Sequence, residues 1–400
     1  MRPSRARIGG MKEHKLHFPL YYAISYMTTA VYVVFIPIFL NGLGYSRTLV
    51  GTLLALGPFI ALLAHPAWGI AADRATSKNT VLFALILGAS ASILLFPLAG
   101  ALPFVFLAIV LFSAFQSSII PLSDAIALEH LSSTGRPFGP VRLAGTLGYA
   151  VMAVVAGIVA RQRIDAIFPL YAAMGLLSFL VAFGLPKVRG HQSAGTRVPL
   201  RRLFEDRGLV LLLAFNFTLQ LTLGFYYSFF AIHLKSLGAD LPLQGWAIFI
   251  TSLAELPFLI FADRILARLG TRLTMLLAGL ALAVRWFLFY LVDDRFVLMG
   301  VNALHGITVI VFIYSMATYI NTNVRKELRA SGQAMNAMLC VGVARVLGSV
   351  GGGFVSDLTS IRQTFLLGSV VALVGVVVFG VVFFVRREGT ARDPGRRNRP

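Results

Sequence analysis

"LAHPAWGIAADR" fills residues 63–74 and "LAELPFLIFADR" fills residues 253–264. Both open on Leu-Ala and close on Ala-Asp-Arg at the same spacing. Each ends an apolar run that is the second in a series of six. A fainter echo links "RLAG" (142–145) with "RASG" (329–332), which open the fifth and eleventh runs. An internal repeat of six apolar spans is the signature of secondary transporters, whose solute sites lie near the bilayer midplane.

The composition agrees. The 400 residues are 58% hydrophobic and only 13% charged, against about 45–50% and about 25% in soluble chains. Runs of about 20 apolar residues, enough to cross a bilayer, recur at 18–41, 47–71, 80–100, 103–128, 142–160, 166–185, 208–233, 243–262, 272–292, 296–322, 330–356 and 363–385. They are too long, and alternate too little, for barrel strands. The expected fold is an all-α membrane protein with twelve transmembrane helices in two six-helix halves. Its expected parts are a tail (1–17), a first half (18–185), a polar linker (186–207), a second half (208–385) and a basic tail (386–400).

The net charge of +19 invites a nucleic-acid reading, but its distribution argues for a membrane. With the N-terminus inside, 27 of the 35 Lys and Arg fall in tails and loops on that side, and six fall outside. This is the positive-inside asymmetry. It predicts a multi-pass protein of the cell membrane with both termini cytoplasmic and basic tails facing lipid headgroups. The one cysteine, Cys340, allows no internal disulfide. The first run is too long for a signal-peptide core.

The turn "GIAADRATSK" (69–78) places Asp73 and Arg74 at a helix end on the inner surface. An acid there can accept backbone N–H bonds from a neighbouring helix start and pair with a cation of the next loop. Such a latch can form in one conformation and break in another. The repeat gives Asp263 and Arg264 the same place. The turn resembles the loop motif of the major facilitator superfamily, Gly-x-Leu-Ala-Asp-Arg-x-Gly-Arg-Lys. Gly69, Ala72, Asp73, Arg74 and Lys78 match, while Ala71, Thr76 and Ser77 depart.

Two acids lie well inside predicted spans, Asp124 and Glu255. Glu255 is 12 residues from the outer start of its span, Arg285 is 13 from an inner start and His305 is 9 from an outer start. At about 1.5 Å per residue all three sit near mid-membrane, where unpaired charges are costly. The expectation is an ion pair between Glu255 and Arg285, with His305 close enough to share protons. When Arg285 is drawn away, a carboxylate in this dry interior takes up a proton, the elementary step of proton coupling. Asp124 and Arg142 lie in the inner third of two helices joined by one loop, and a bidentate pair is expected. Tyrosines crowd the first and seventh spans, among them Tyr22, Tyr26 and Tyr226, and their rings suit a cyclic solute.

The stretch from Asp124 to Tyr149 reads acid, 17 residues, then Arg-x-x-Gly-x-x-Gly-aromatic-Ala. This resembles the lactose permease branch of the superfamily and its phenylpropionate-permease and nucleoside–proton symporter relatives. The resemblance implies that Asp124 and Arg142 bind solute, that Tyr149 stacks on it, and that Arg285, His305 and Glu255 carry the proton machinery. Thr308 stands where the sugar permease has a second acid, which shifts the proton carrier to Glu255 or Asp124. Phe258 replaces an Asn and argues against lactose.

The leading reading is a proton-coupled symporter importing a small organic solute (an aromatic acid, nucleoside or sugar) by alternating access, as a functional monomer. A proton-driven exporter is the alternative, although the fifth span lacks the Gly-Pro of that branch. No phosphate-binding loop pattern, metal-ligand spacing or nucleophile–base arrangement is present, so neither an enzyme nor a bound cofactor or metal is expected.

Overall fold

The computed structural model describes residues 6–98, 101–188, 205–325 and 328–391, and these are helical with no strand among them. The helices are α1 (Ala6–Gly42), α2 (Arg47–Arg74), α3 (Lys78–Leu98), α4 (Leu102–Thr134), α5 (Gly139–Val159), α6 (Ile164–Ala182), α7 (Arg207–Ser236), α8 (241–269), α9 (271–291), α10 (Arg295–Asn323), α11 (Ser331–Leu358) and α12 (Ile361–Ala391). Parts of the expected tails and linker, residues 1–5, 189–204 and 392–400, lie outside the described residues.

The eighth and ninth helices form one hydrogen-bonded run, Leu241–Leu291, of 51 residues. At about 1.5 Å per residue a straight helix of that length is more than twice the roughly 30 Å of a hydrocarbon core. Gly270 breaks it with φ 71°, a conformation that costs a residue with a Cβ and costs glycine little. Eleven helix starts fall within three residues of those expected, whereas α1 begins twelve residues earlier, at Ala6, and α4, α8 and α12 run six, seven and six residues further at their C-terminal ends. Elsewhere short polar side chains mark the starts. Ser46 accepts the N–H of Leu49 at 3.2 Å, and Asp294 accepts those of Phe296 and Val297 at 2.8 and 2.9 Å, satisfying donors that a helix start leaves open.

Two spans are irregular where charge is concentrated. In α10 the α-helix stops at Asn302, a 3₁₀ turn covers Ala303–Ile307, and α-helix resumes at Val309. In α11 a π-helical stretch covers Ala337–Ala344 just before Arg345.

The chain packs as two compact units, Met1–Thr196 with Tyr227–Leu253, and Arg197–Tyr226 with Ala254–Pro400. In the first, α1 lies against α5, because Gly148 meets the backbone of Ala23 and Gly145 the ring of Tyr26. Gly157 and Gly245 likewise bring α5 onto the N-terminal part of α8, each meeting backbone of the other helix. Small residues at such crossings are the membrane's substitute for hydrophobic driving force, since lipid tails are as apolar as leucine. Phe39, Phe96, Phe112 and Phe168 fill the buried interior. In the second unit Gly224 meets the backbone of Arg345, and Gly348 the carbonyl of Leu221, joining α7 to α11. Trp286, Phe289 and Phe365 pack beneath them.

Candidate functional site

The two acids expected inside the membrane each sit in a cluster of charged groups, one in each unit. In the first, Asp124 projects from the C-terminal half of α4, beyond Pro121. Its Oδ1 accepts the Tyr22 hydroxyl at 2.6 Å. Tyr22 is buried, and its ring stacks on Tyr26 with centroids 6.1 Å apart. The expected bidentate pair with Arg142 is not formed. Arg142 Nη1 stands 3.8 Å from Oδ2 of Asp124, and the guanidinium lies over the Tyr26 ring, 4.9 Å from its centroid. A cation over an aromatic face gains on the order of 0.5–1 kcal/mol or more, which competes with the carboxylate for Arg142. Both charged side chains are open, 49% exposed for Arg142 and 31% for Asp124. Tyr149 is half-buried on α5, seven residues beyond Arg142.

The second cluster is closed around its arginine and histidine, and its acid, Glu255, is 24% exposed. Arg285 on α9 is fully buried. Its Nη1 donates to Nδ1 of His305 at 3.1 Å, and its Nη2 to Oδ1 of Asn302 at 2.5 Å. The guanidinium lies over the rings of Tyr226 at 4.4 Å and Trp286 at 4.9 Å. His305 Nε2 stands 3.4 Å from Oε1 of Glu255. The direct Glu255–Arg285 pair expected from depth is therefore replaced by a chain, Arg285–His305–Glu255. The three helices do bring these groups to one level, but the imidazole sits between the two charges.

Elementary donor counting fixes the tautomer. A guanidinium has donors and no acceptor, so Nδ1 of His305 must accept. The ring proton then resides on Nε2 and points at Glu255. A doubly protonated ring would set an N–H against the guanidinium, so this geometry holds His305 neutral.

Backbone devices make the arrangement possible. In a 3₁₀ helix residues i and i+3 eclipse, and the 3₁₀ turn places Asn302 and His305 so that each grips one Nη of Arg285. Gly306 lies against the carbonyl of Ala254, where a Cβ would collide. That close approach of α10 to α8 carries Glu255 to His305.

Tyr226 was expected to face solute. Its hydroxyl instead donates to Asn302 Oδ1 at 3.0 Å, and its ring is buried under Arg285. Asn302 went unforeseen, although an amide at mid-membrane depth one turn before a histidine was a readable signal. So did Gln220, which accepts from Nε of Arg345 at 2.9 Å.

At the turn between α2 and α3 Lys78 pairs with Glu129 of α4 at 2.9 Å rather than with Asp73. Asp73 lines a hollow with His65, Trp68, Gly69 and Leu122, and Arg74 is exposed. In the repeat-related turn Asp263 accepts the Tyr314 hydroxyl at 2.5 Å, and Arg264 lies 5.8 Å from the Phe261 ring centroid. Among the described residues no three His, Cys, Asp or Glu side chains gather as a metal site would require.

The sequence model described as the MFS_1 like family matches residues 15–367. The chain is 28% identical over 387 residues to the maltose permease of Geobacillus stearothermophilus, covering 96% of this chain and 98% of that one. It is 26% identical over 345 residues to the uncharacterized transporter YwbF of Bacillus subtilis, covering 86% of each. The crystal structure of the nucleoside transporter NupG superposes with a TM-score of 0.82 at 18% identity, covering 92% of this chain and 98% of that one. At that identity the likeness speaks for the fold alone. Twelve apolar spans, a six-span repeat and a match along most of the sequence lead to one conclusion: the chain belongs to the MFS_1 like family of the major facilitator superfamily and is a multi-pass membrane transporter, not an enzyme.

Proposed function

We propose that this transporter is a proton-coupled symporter that imports a small ring-bearing solute rich in hydroxyl groups, of the sugar or nucleoside kind, by alternating access. The observation that carries the proposal is the chain Arg285–His305–Glu255, buried at its arginine and imidazole and ending on a half-buried carboxylate touched by a neutral imidazole. A carboxylate bonded directly to a guanidinium stays ionised, whereas one that meets only a neutral donor can gain and lose a proton. Protonating Glu255 exchanges a charge-assisted hydrogen bond for a neutral one, roughly half as strong. Proton binding thereby loosens α8 from α10, and proton release tightens them.

Solute binding falls to Asp124 and Arg142. Their 3.8 Å separation and exposure leave room for hydroxyls to insert, accepting from one group and donating to the other without adding net charge. The Tyr22–Tyr26 stack beside them offers a ring face. The name of one relative agrees, since maltose carries hydroxylated rings. Each proton that moves with solute down the membrane field contributes about 2.3 kcal/mol per 100 mV, enough for accumulation. Both termini are cytoplasmic in this reading, from the lysine and arginine asymmetry.

Purified protein in liposomes with an imposed pH gradient, acid outside, tests the proposal against labelled maltose, a nucleoside and an aromatic acid. Gradient-dependent accumulation of a hydroxylated solute is expected. Accumulation that ignores the gradient, or that follows sodium instead, contradicts it.

A further inference from the structure

Asn302 has no charge and no place in the proton chain, yet it is fully buried within it. Its Oδ1 accepts from both Arg285 Nη2 and the Tyr226 hydroxyl. We propose that Asn302 is the positioning residue that holds Arg285 on His305 and off Glu255, and so keeps Glu255 able to take up and release a proton. The inference rests on the proton-coupled reading above.

The geometry supplies the reason. The 3₁₀ turn sets Asn302 and His305 as a two-pronged fork, one prong on each Nη of Arg285. Tyr226 closes the third side, with its ring under the guanidinium and its hydroxyl on the same amide oxygen. The charged and titratable groups facing this point are Tyr226 on α7, Glu255 on α8, Arg285 on α9 and His305 on α10. Arg345 on α11 is near enough to act electrostatically on His305. Glu255 is the carboxylate of this group. Without the amide, Arg285 loses the acceptor on Nη2, and Glu255, one imidazole away, attracts it. A guanidinium brought onto a carboxylate lowers its proton affinity by about ten- to a thousandfold. An amide suits the task because it accepts from Arg285 without neutralising it.

Two variants test the inference in proteoliposomes, with solute exchange and gradient-driven uptake measured across pH. Asn302→Ala is expected to flatten the pH dependence and to cut gradient-driven accumulation by about tenfold or more, while exchange at equal concentrations stays near the wild-type rate. Asn302→Asp adds a negative charge that pairs with Arg285. It is expected to move the pH profile of uptake to higher pH by about one unit, because the added charge favours the protonated carboxyl. A merely structural role would move neither profile. Where Asn302→Ala does not yield folded protein, Asn302→Asp decides alone. Wild-type profiles in both variants, or a shift of Asn302→Asp to lower pH, would overturn the inference. Failure of the wild-type protein to accumulate solute under the gradient would sink the coupling reading itself.

Discussion

The two intramembrane acids are held in opposite ways. Asp124 stands in an open cluster, bonded to a phenol and only loosely approached by its arginine. Glu255 ends a closed one, in which the arginine is buried, stacked on rings and separated from the acid by a neutral imidazole. The openness of the first suits a site that must admit a whole molecule. In the second only the base is closed off, since Glu255 at 24% is nearly as exposed as Asp124 at 31%, and this suits the proton site proposed there. Similar residue types thus give two arrangements, and the difference lies in the burial of the arginine and in what stands between acid and base.

This contrast can be broken by substitution, beginning with the largest effect. Glu255→Gln is expected to abolish gradient-driven accumulation and to leave exchange of solute intact. Retained accumulation would put the proton elsewhere. Asp124→Ala is expected to weaken solute binding by about ten- to a hundredfold, the worth of a charge-assisted hydrogen bond or two, as read by calorimetry in detergent. Unchanged affinity would remove Asp124 from the open site. Gly306→Val should push α10 from the Ala254 carbonyl, with overpacking costing about 1–3 kcal/mol. A lowered thermal midpoint together with weakened pH dependence is expected, and an unchanged midpoint would mean that the close approach is not tight. The smallest effect is Lys78→Gln, which removes a part-buried pair with Glu129 worth about 1 kcal/mol. Stability is expected to change little, and a large loss would show that this pair fastens α3 to α4.

Much of this architecture was legible beforehand because bilayer length acts on whole segments. The starts of every span but the first followed from apolar length, and the shared level of Glu255, Arg285 and His305 followed from counting residues. The partners did not. Each residue turns an α-helix by about 100°, so groups at one depth can face each other or a third group. Here His305 took the position between. The 3₁₀ turn at Ala303–Ile307 was hidden as well, because "NALHG" carries no helix-breaking proline. That turn is what recruits Asn302. At the open site the sequence showed an acid and an arginine at pairing distance, but not that Tyr26 would draw the guanidinium aside. The loop motif placed Lys78 in a latch with Asp73, whereas the longer α4 brings Glu129 within its reach.

The central claim is that Glu255 carries the proton that moves with solute. The most direct measurement is the pH change outside lightly buffered proteoliposomes when solute is added. Wild-type protein is predicted to turn the medium alkaline as solute enters, and Glu255→Gln to move solute down its gradient with no pH change. Alkalinisation by Glu255→Gln equal to that of wild type would contradict the account.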